Sequence, residues 1–516
     1  MRSFINSGRG LLPLLFVSYF ACDPQSVGDA QQETRDANDG VDVHVLDVER
    51  SDADNARDAS GADVNEARDA GLADVMSNDV NAPDANAPDA AVFGEAPVPS
   101  DWPQGFGWSW VRENETFVSG LSVRMGAPTS AAVNRYFDDF GANAVHLWQS
   151  GMPDAINAWQ NERATRWLSW VDKNGNSSQN NQFLGGELNR TNAIGYQVGD
   201  EPRNRVEFQE TLDAFGLVKA AAPNKLTVFN YTYLADEIEA FLDESCASGD
   251  VDVFSYDRYS LSNSVFETVS LFRDKAIDCG VPYWRYLASI PVESSEYPNT
   301  SGMRWDAMLG IVFGYTGHTW FVYNIRLFEP ENIPSVFFAE PDNYDSAVTP
   351  FFGLASELNR ELIVYGQAQR YLRSTDVGYY TPQSIPFVHP PEGVAPWQRG
   401  MGGDDIIQSI ATSGADIQDV MLGFYEDGYR DTYVVVMNAN REGGSFPNDG
   451  DESAEVRLSL DLSGRVYLAQ NHVQVLRPSG NIENVALQNN ELVLNIAAGD
   501  VVFYKYDSGK GFAGYR

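Results

Sequence analysis

One ten-residue segment, Ala193–Pro202, constrains the fold of this chain more than any other. It reads Ala-Ile-Gly-Tyr-Gln-Val-Gly-Asp-Glu-Pro, a short buried strand that ends in two carboxylates and a proline. Because side chains alternate along a strand, the segment has a small or polar face and a mostly bulky, apolar face. The two faces are, respectively, Gly195, Gln197, Gly199 and Glu201, and Ile194, Tyr196, Val198 and Asp200.

This distribution is typical of a strand in a (β/α)8 barrel, where small side chains point into a narrow lumen and bulky ones meet the outer helices. Glu201 would then lie at the carboxyl end of its strand and point into the pore, where barrel enzymes carry their catalytic groups. Pro202 would end the strand and open the next helix. The alternative is that Glu201 only caps that helix.

Strand and helix signals alternate from Asp101 onward, which predicts an α/β fold with a parallel sheet, a TIM barrel over residues 101–378. The candidate strands are Gly107–Arg112, Ala144–Gln149, Arg166–Asp172, Ala193–Glu201, Leu226–Tyr231, Val251–Tyr259, Pro282–Ser289 and Thr319–Asn324. Short strands separated by Gly, Asn and Pro then predict an antiparallel β-sandwich over residues 379–516, as an accessory domain.

The N-terminus has the pattern of an export signal. Residues 1–22 combine Arg2 and Arg9 with a short apolar run and end in Ala21-Cys22, which predicts a lipoprotein signal with Cys22 lipidated, or else simple secretion. Residues 23–100 hold 19 acidic and 4 Arg side chains among Ala, Asn and Pro, so we expect a disordered tether. The chain would be exported, as an outer-membrane or cell-surface lipoprotein or as a periplasmic or secreted protein, with membrane contact only through the anchor.

Composition limits the partners further. The formal net charge of −38 argues against nucleic acid or anionic lipid as a partner. Cys246 and Cys279 each end a predicted helix, and the two helices belong to consecutive βα units. They form either a disulfide, which the oxidising compartment of an exported protein permits, or two separate buried thiols. With three cysteines and five histidines in the chain, we predict no metal and no cofactor.

Glycosidic cleavage needs a second carboxyl group facing the scissile bond. The predicted sixth strand places Val253, Ser255 and Asp257 on one face, and Asp257 lies near its carboxyl end. Strands four and six are two steps apart, so the carboxyls of Glu201 and Asp257 could approach to between about 5 and 9 Å. The alternative for Asp257 is a salt bridge with Arg258 or Arg285.

Aromatic and polar side chains are predicted around the same rim, where sugar rings pack on aromatic faces and sugar hydroxyls need polar partners. The candidates for substrate binding are His146, Trp148, Gln149, Trp170, Asn230, Tyr259, Trp284, Trp320, Tyr323 and Asn324.

The ordered motifs Gly195–Pro202, Phe229–Tyr231, Asp252–Tyr259 and Gly314–Tyr323 resemble those of bacterial extracellular TIM-barrel glycoside hydrolases. The resemblance covers most of residues 105–506 and implies that Glu201 is the proton donor. Related barrel hydrolases with Asn-Glu-Pro on strand four usually take their nucleophile from a Glu that ends strand seven. Here that strand ends without a carboxylate, and Glu293 and Glu296 follow in a loop.

We therefore predict an extracellular glycoside hydrolase acting on a poly- or oligosaccharide. Glu201 would be the general acid/base and Asp257 the nucleophile or base, with Asp200 orienting a neighbouring group. If Asp257 does not have this role, Glu293 or Glu296 would be the nucleophile. The alternatives are a non-catalytic carbohydrate-binding lipoprotein on the same barrel, and a surface adhesin or scaffold.

Overall fold

The computed structural model describes a large part of the chain from Pro97 onward. The described residues are 97–122, 128–147, 157–159, 165–171, 192–232, 237–259, 265–290, 299–324, 326–327, 333–334, 336–340, 343–382, 390–413, 419–441 and 453–515. They belong to one compact unit that begins at Ala91. The predicted signal, Cys22 and most of the tether lie outside the described residues.

Eight parallel strands close into a barrel in the order of the chain. They are β1 Phe117–Ser122, β2 Val145–Leu147, β3 Trp167–Val171, β4 Ala193–Val198, β5 Leu226–Thr232, β6 Val253–Asp257, β7 Tyr283–Ala288 and β8 Gly317–Asn324. The predicted (β/α)8 fold is thereby confirmed, with β8 returning to pair with β1.

Helices connect and flank these strands. They are α1 Phe106–Glu113, α2 Ser130–Asn134 continued by a π-helical turn Arg135–Asp139, α3 Arg205–Ala221, α4 Ile238–Ser248, α5 Val265–Cys279, α6 Thr300–Phe313 and α7 Pro350–Gln369. None of the helices in the described part of the chain is long and apolar enough to cross a membrane.

The first predicted strand, Gly107–Arg112, is wrong: these residues form α1, and β1 comes later, at Phe117–Ser122. The helix lies at the floor of the barrel. The Trp110 ring lies 6.1 Å from that of Trp284, which stacks on Phe117 at 4.5 Å inside the lumen. Apolar and polar side chains alternate along this segment as they do in a strand, but packing against the barrel floor favours a helix. That tertiary contact cannot be read from the local sequence pattern.

A short antiparallel strand pair lies between β8 and α7, and the chain forms two further sheets after α7. The strands are β9 Arg326–Leu327, β10 Ile333–Pro334, β11 Leu372–Tyr380, β12 Ala395–Pro396, β13 Ile407–Ser413, β14 Val420–Asp427, β15 Thr432–Asn438, β16 Ser453–Leu460, β17 His472–Leu476, β18 Ile482–Ala486, β19 Glu491–Ala497 and β20 Val501–Tyr506.

A seven-stranded sheet in the order β12-β11-β14-β15-β20-β17-β18 and a three-stranded sheet β13-β16-β19 share one apolar core. All pairs are antiparallel except β11–β12. The region therefore matches the predicted antiparallel architecture apart from that edge. It contacts the barrel through α6, where Trp305 Nε1 donates to the Ala439 carbonyl at 3.1 Å and Tyr425 donates to that of Val312 at 2.7 Å.

A disulfide joins Cys246 in α4 to Cys279 at the end of α5, with 5.5 Å between the two Cα atoms and 33 positions between them in sequence. Closing a loop of that length restricts the unfolded chain, a contribution of about 3 to 4 kcal/mol to stability. We expect Cys246→Ala/Cys279→Ala to lower the free energy of unfolding by about that amount in urea titrations followed by tryptophan fluorescence. An unchanged midpoint would mean that the crosslink adds nothing to stability.

Candidate active site

The chain departs from regular strand geometry just after β4, at Gly199 and at the predicted catalytic residue Glu201. Gly199 has φ of 64° and Glu201 has φ of 42°, a left-handed conformation that glycine adopts freely and glutamate rarely. The backbone nitrogen of Glu201 donates to the Asn230 carbonyl at 3.1 Å, which ties the turn to β5. Strained backbone at a non-glycine residue costs on the order of 1 to 3 kcal/mol and is concentrated at functional sites.

The turn also places Asp200 on a different side from the one that simple alternation predicts. Instead of facing the outer helices, its Oδ1 accepts hydrogen bonds from Gln197 Nε2 and Asn230 Nδ2, each at 2.9 Å. Alternation also fails for Ile194, which packs in the apolar floor of the lumen, whereas Tyr196 and Val198 pack outside as predicted.

Glu201 is not the cap of the helix that follows. That role belongs to Asn204, whose Oδ1 accepts from the backbone nitrogens of Val206 and Glu207 at 3.1 and 3.0 Å. The Glu201 side chain is 25% exposed, and its Oε2 lies 3.8 Å from Arg203 Nη2. The carboxylate thus remains accessible at the mouth of the pore.

Asp257 ends β6 and meets Glu201. The Glu201 carboxyl acts on that of Asp257 both through its charge and through hydrogen bonding. Tyr259 donates to Asp257 Oδ2 at 3.3 Å, while Oδ1 is buried without a hydrogen-bond partner in the described part of the chain. The proposed salt bridges are absent among the described residues, because Arg258 Nη1 donates to Thr268 and Arg285 pairs with Asp306.

Burial and the charge of Glu201 make Asp200 and Asp257 harder to ionise. Burial, followed by the charge of Glu201, raises the pKa of Asp200 to about 8. Burial and the adjacent Glu201 carboxyl also raise the pKa of Asp257 well above its ordinary value. Neighbouring carboxyl groups disfavour each other's ionised form. Asp200 therefore holds its proton at neutral pH.

Tyr286 in β7 is a site residue that the sequence analysis missed. Its hydroxyl donates to Gln197 Oε1 at 2.7 Å and lies 3.2 Å from His146 Nδ1. Burial lowers the pKa of His146 to about 3, so this imidazole is neutral. Alternation along β7 puts Trp284, Tyr286 and Ala288 inside the barrel, a signal that could have identified Tyr286.

Two of the predicted rim aromatics are retained in the pore. Tyr259 is half-buried and stacks on Phe321 with 4.9 Å between ring centroids. Trp170 is also half-buried and lies opposite Gln197 in the β3–β4 register. These two rings border the carboxylate cluster.

Three other predicted aromatics are not available at the rim. Trp284 fills the floor of the lumen against Phe117. Trp320 is fully buried outside the barrel and donates to Asn359 of α7 at 2.7 Å, and Tyr323 packs beside Tyr136 at 4.7 Å. The outward-facing positions of β8 need bulky side chains to meet the helices, so these rings serve as core.

The remaining predicted site residues lie in different parts of the chain. Asn230 lies in the cluster, and Asn324 at the end of β8 is fully buried with neither side-chain atom hydrogen-bonded within the described residues. Trp148, Gln149, Glu293 and Glu296 lie outside the described residues. Across the described ranges, no group of three or more His, Cys, Asp or Glu side chains could hold a metal ion.

Two cavities lie elsewhere, towards the amino-terminal end of the barrel. One of about 510 Å³ lies between α5 and β11, and another of about 260 Å³ reaches from α1 to Gln369. Neither touches the carboxylate cluster. We assign the candidate active site from the acidic groups at the carboxyl ends of β4 and β6, where barrel enzymes carry their catalytic groups.

The raised pKa values give stability a definite pH dependence. A carboxyl whose folded pKa exceeds its unfolded value of 3.8 stabilises the fold at low pH and loses that contribution as pH rises through the folded pKa. For Asp200 this window runs from about pH 4 to about pH 8. We expect the free energy of unfolding to fall between pH 5 and pH 8, and Asp200→Asn to reduce that fall, as measured by urea titration. An equally steep fall in the variant would contradict the assignment.

Comparison with known proteins yields structural neighbours only. No protein-family model matches the chain, and no curated protein sequence does. Among solved structures, a glycoside hydrolase family 5 protein from Bacteroides vulgatus is 12% identical with a TM-score of 0.47, covering 77% of this chain and 91% of that one.

Two further solved structures resemble this chain at similarly low sequence identity and TM-score. A family 30 endoxylanase from Clostridium papyrosolvens is 13% identical with a TM-score of 0.38, covering 76% of this chain and 97% of that one. A putative alpha-galactosidase from Bacteroides fragilis is 10% identical with a TM-score of 0.43, covering 76% and 79%. At these values the likeness carries no argument about activity, and the barrel is established by its own strand pairing.

Proposed function

We propose that this protein is a glycoside hydrolase that cleaves an O-glycosidic bond of a poly- or oligosaccharide. The observation that carries the proposal is the convergence of Glu201 and Asp257, from β4 and β6, on one end of a barrel whose other end is packed shut. Two carboxyl groups that face the same bond can supply both an acid and a base or nucleophile.

Glu201 is the proposed proton donor. It is the more accessible of the two groups, with a quarter of its side chain exposed, and Asp257 is the proposed nucleophile or base. A sugar that enters between them would turn Glu201 away from Asp257 and open the separation to the roughly 5 to 9 Å that glycosidases use.

The neighbouring side chains support these roles. Asp200, held by Gln197 and Asn230, would orient the neighbouring carboxyl groups. Tyr286 would fix Gln197 and so the orientation of Asp200. The half-buried rings of Tyr259 and Trp170 would offer faces to the sugar. The chain would act outside the cytoplasm, anchored through Cys22, as its leader predicts.

The direct test is to offer the full chain a panel of polysaccharides and oligosaccharides and to follow product anomers by NMR. We expect cleavage of at least one glycan, and the first-formed anomer distinguishes a nucleophile from a base at Asp257. Glycans that are retained but never cleaved would instead favour the non-catalytic carbohydrate-binding alternative. That alternative is supported by the absence of a carboxylate at the end of β7.

A further inference from the structure

We infer that an ion-pair cluster between the barrel and the C-terminal sheets is a pH-sensitive lock, which is closed while Glu361 holds a proton and loosens when Glu361 ionises. The inference concerns the contact between these two parts of the chain and does not depend on the proposed function. It rests on an excess of carboxyl groups around one buried guanidinium group and on the burial of the Glu361 side chain.

The cluster brings together two helices of the barrel and one turn of the sheets. Arg304 belongs to α6, Glu357 and Glu361 belong to α7, and Asp500 lies in the turn between β19 and β20. Nη2 of Arg304 lies 2.7 Å from Glu357 Oε1. Its Nη1 lies 2.8 Å from Glu361 Oε2 and 3.5 Å from Asp500 Oδ1. Arg304 therefore connects both helices to the C-terminal sheets.

The turn that carries Asp500 packs closely against α6. Gly499, just before it, has φ of 75°, and a Cβ at this position would lie 2.8 Å from the backbone nitrogen of Trp305. Glycine alone tolerates both that conformation and that approach. The backbone nitrogen of Val501 donates to Asp500 Oδ1 at 2.8 Å. The Asp500 carboxyl is consequently held near Glu361.

The charges in this cluster do not balance. Among the described residues, one guanidinium group faces three carboxyl groups, and two of these contact the same nitrogen of Arg304. The side chain of Glu361 is 7% exposed, that of Asp500 is 26% exposed and that of Glu357 is 60% exposed. Water can screen the charge of Glu357 but hardly that of Glu361. Ionisation is therefore most costly at Glu361.

The neighbouring groups act on Glu361 in opposite directions. Burial raises the pKa of Glu361 to about 7, although Arg304 opposes the rise, and the charges of Asp500 and Glu357 add to it. Tyr365 lies on the same helix, and burial together with the charges of Asp500 and Glu361 raises its pKa well above the ordinary value. Tyr365 therefore stays neutral, and Glu361 is the group that titrates near neutral pH.

The sign of the effect follows from the raised pKa. A carboxyl whose folded pKa exceeds its unfolded value stabilises the fold at low pH and loses that contribution as pH rises through the folded pKa. For Glu361 the loss runs from about pH 4.5 to about pH 7. Once ionised, Glu361 places a third negative charge at Arg304 and repels Asp500. We therefore expect the contact between α6, α7 and the β19–β20 turn to be tighter below neutral pH.

The test compares urea unfolding of the full native chain and of Glu361→Gln at several pH values from 5 to 8, followed by tryptophan fluorescence. Glutamine keeps the shape of the side chain but cannot ionise. We expect the unfolding equilibrium constant of the native chain to rise at least about tenfold more than that of the variant, since each unit of pKa shift corresponds to a factor of ten. Asp200 is present in both proteins, so its own pH dependence cancels in the comparison.

Glu357→Gln is the matched control, because it makes the same change one turn earlier on α7, beside the same arginine, at an exposed position. It should keep the native pH dependence. Asp500→Asn should shift the loss of stability to lower pH, since it removes a charge that opposes ionisation of Glu361. This variant also tests the inference if Glu361→Gln does not fold.

Hydrogen exchange followed by mass spectrometry locates the change. After correction for intrinsic exchange rates, peptides that cover the β19–β20 turn should be less protected at pH 8 than at pH 5 in the native chain, and equally protected at both in Glu361→Gln. Parallel pH curves for the native chain and Glu361→Gln would overturn the inference. So would an equal flattening of the curve by Glu357→Gln.

Discussion

Glu201→Gln lowers the turnover of any glycan that the native protein cleaves by between about 100-fold and 10,000-fold, the usual contribution of a positioned general acid. The amide keeps the shape of the side chain but cannot deliver a proton. Because the Glu201 side chain is part-exposed and does not cap α3, we expect folding and sugar binding to be nearly unchanged. The measurement is the initial rate on the best substrate from the panel, with circular dichroism as the check on folding.

The matched control is Glu210→Gln, an exposed position on α3 with the same chemical change. We expect it to retain full activity. A Glu201→Gln protein that turns over at the native rate would end the assignment of Glu201 as the proton donor, whatever the behaviour of Asp257.

Asp306→Ala lowers the free energy of unfolding by about 3 to 5 kcal/mol, the usual cost of removing one partner from a buried ion pair. The Arg285 side chain in β7 is fully buried, and that of Asp306 in α6 is only 4% exposed. Asp306 Oδ2 also accepts from the Ala288 backbone nitrogen at 2.9 Å. The variant leaves a buried guanidinium uncompensated and frees the end of β7 from the helix.

Urea titration followed by tryptophan fluorescence measures this loss. The control is Glu483→Ala, which removes an exposed partner of Arg477 at 2.7 Å and should cost less than about 1 kcal/mol. Equal and small effects for both variants would show that the Arg285–Asp306 pair does not hold β7 against α6.

Much of the barrel could be predicted because its strands carry their own signal. From β2 to β8, buried runs recur between helical stretches at the spacing of βα units, and small or polar side chains mark the pore face. β1 was not predicted because α1, just before it, has a strand-like alternation of side chains. α1 closes the floor of the barrel, where its Trp110 packs near Trp284.

The candidate site was predictable to the extent that strand geometry sets it. Asp257 follows the alternation of β6, and Tyr286 follows that of β7, so both positions are readable from sequence. Trp320 and Tyr323 were assigned to the rim because they lie near the end of β8, but the outer helices need bulky partners, and α7 covers Trp320.

The sequence by itself determined that Glu201 and Asp257 end two strands whose inner faces meet, because a period of two residues and a parallel sheet leave few other arrangements. Only the tertiary structure decided that Asp200 joins them and that Glu201 acts on both aspartates. Both depend on the left-handed turn at Gly199 and Glu201 and on amide donors from β4 and β5. Such a turn costs free energy locally and persists only where contacts from other strands hold it, so local sequence does not encode it.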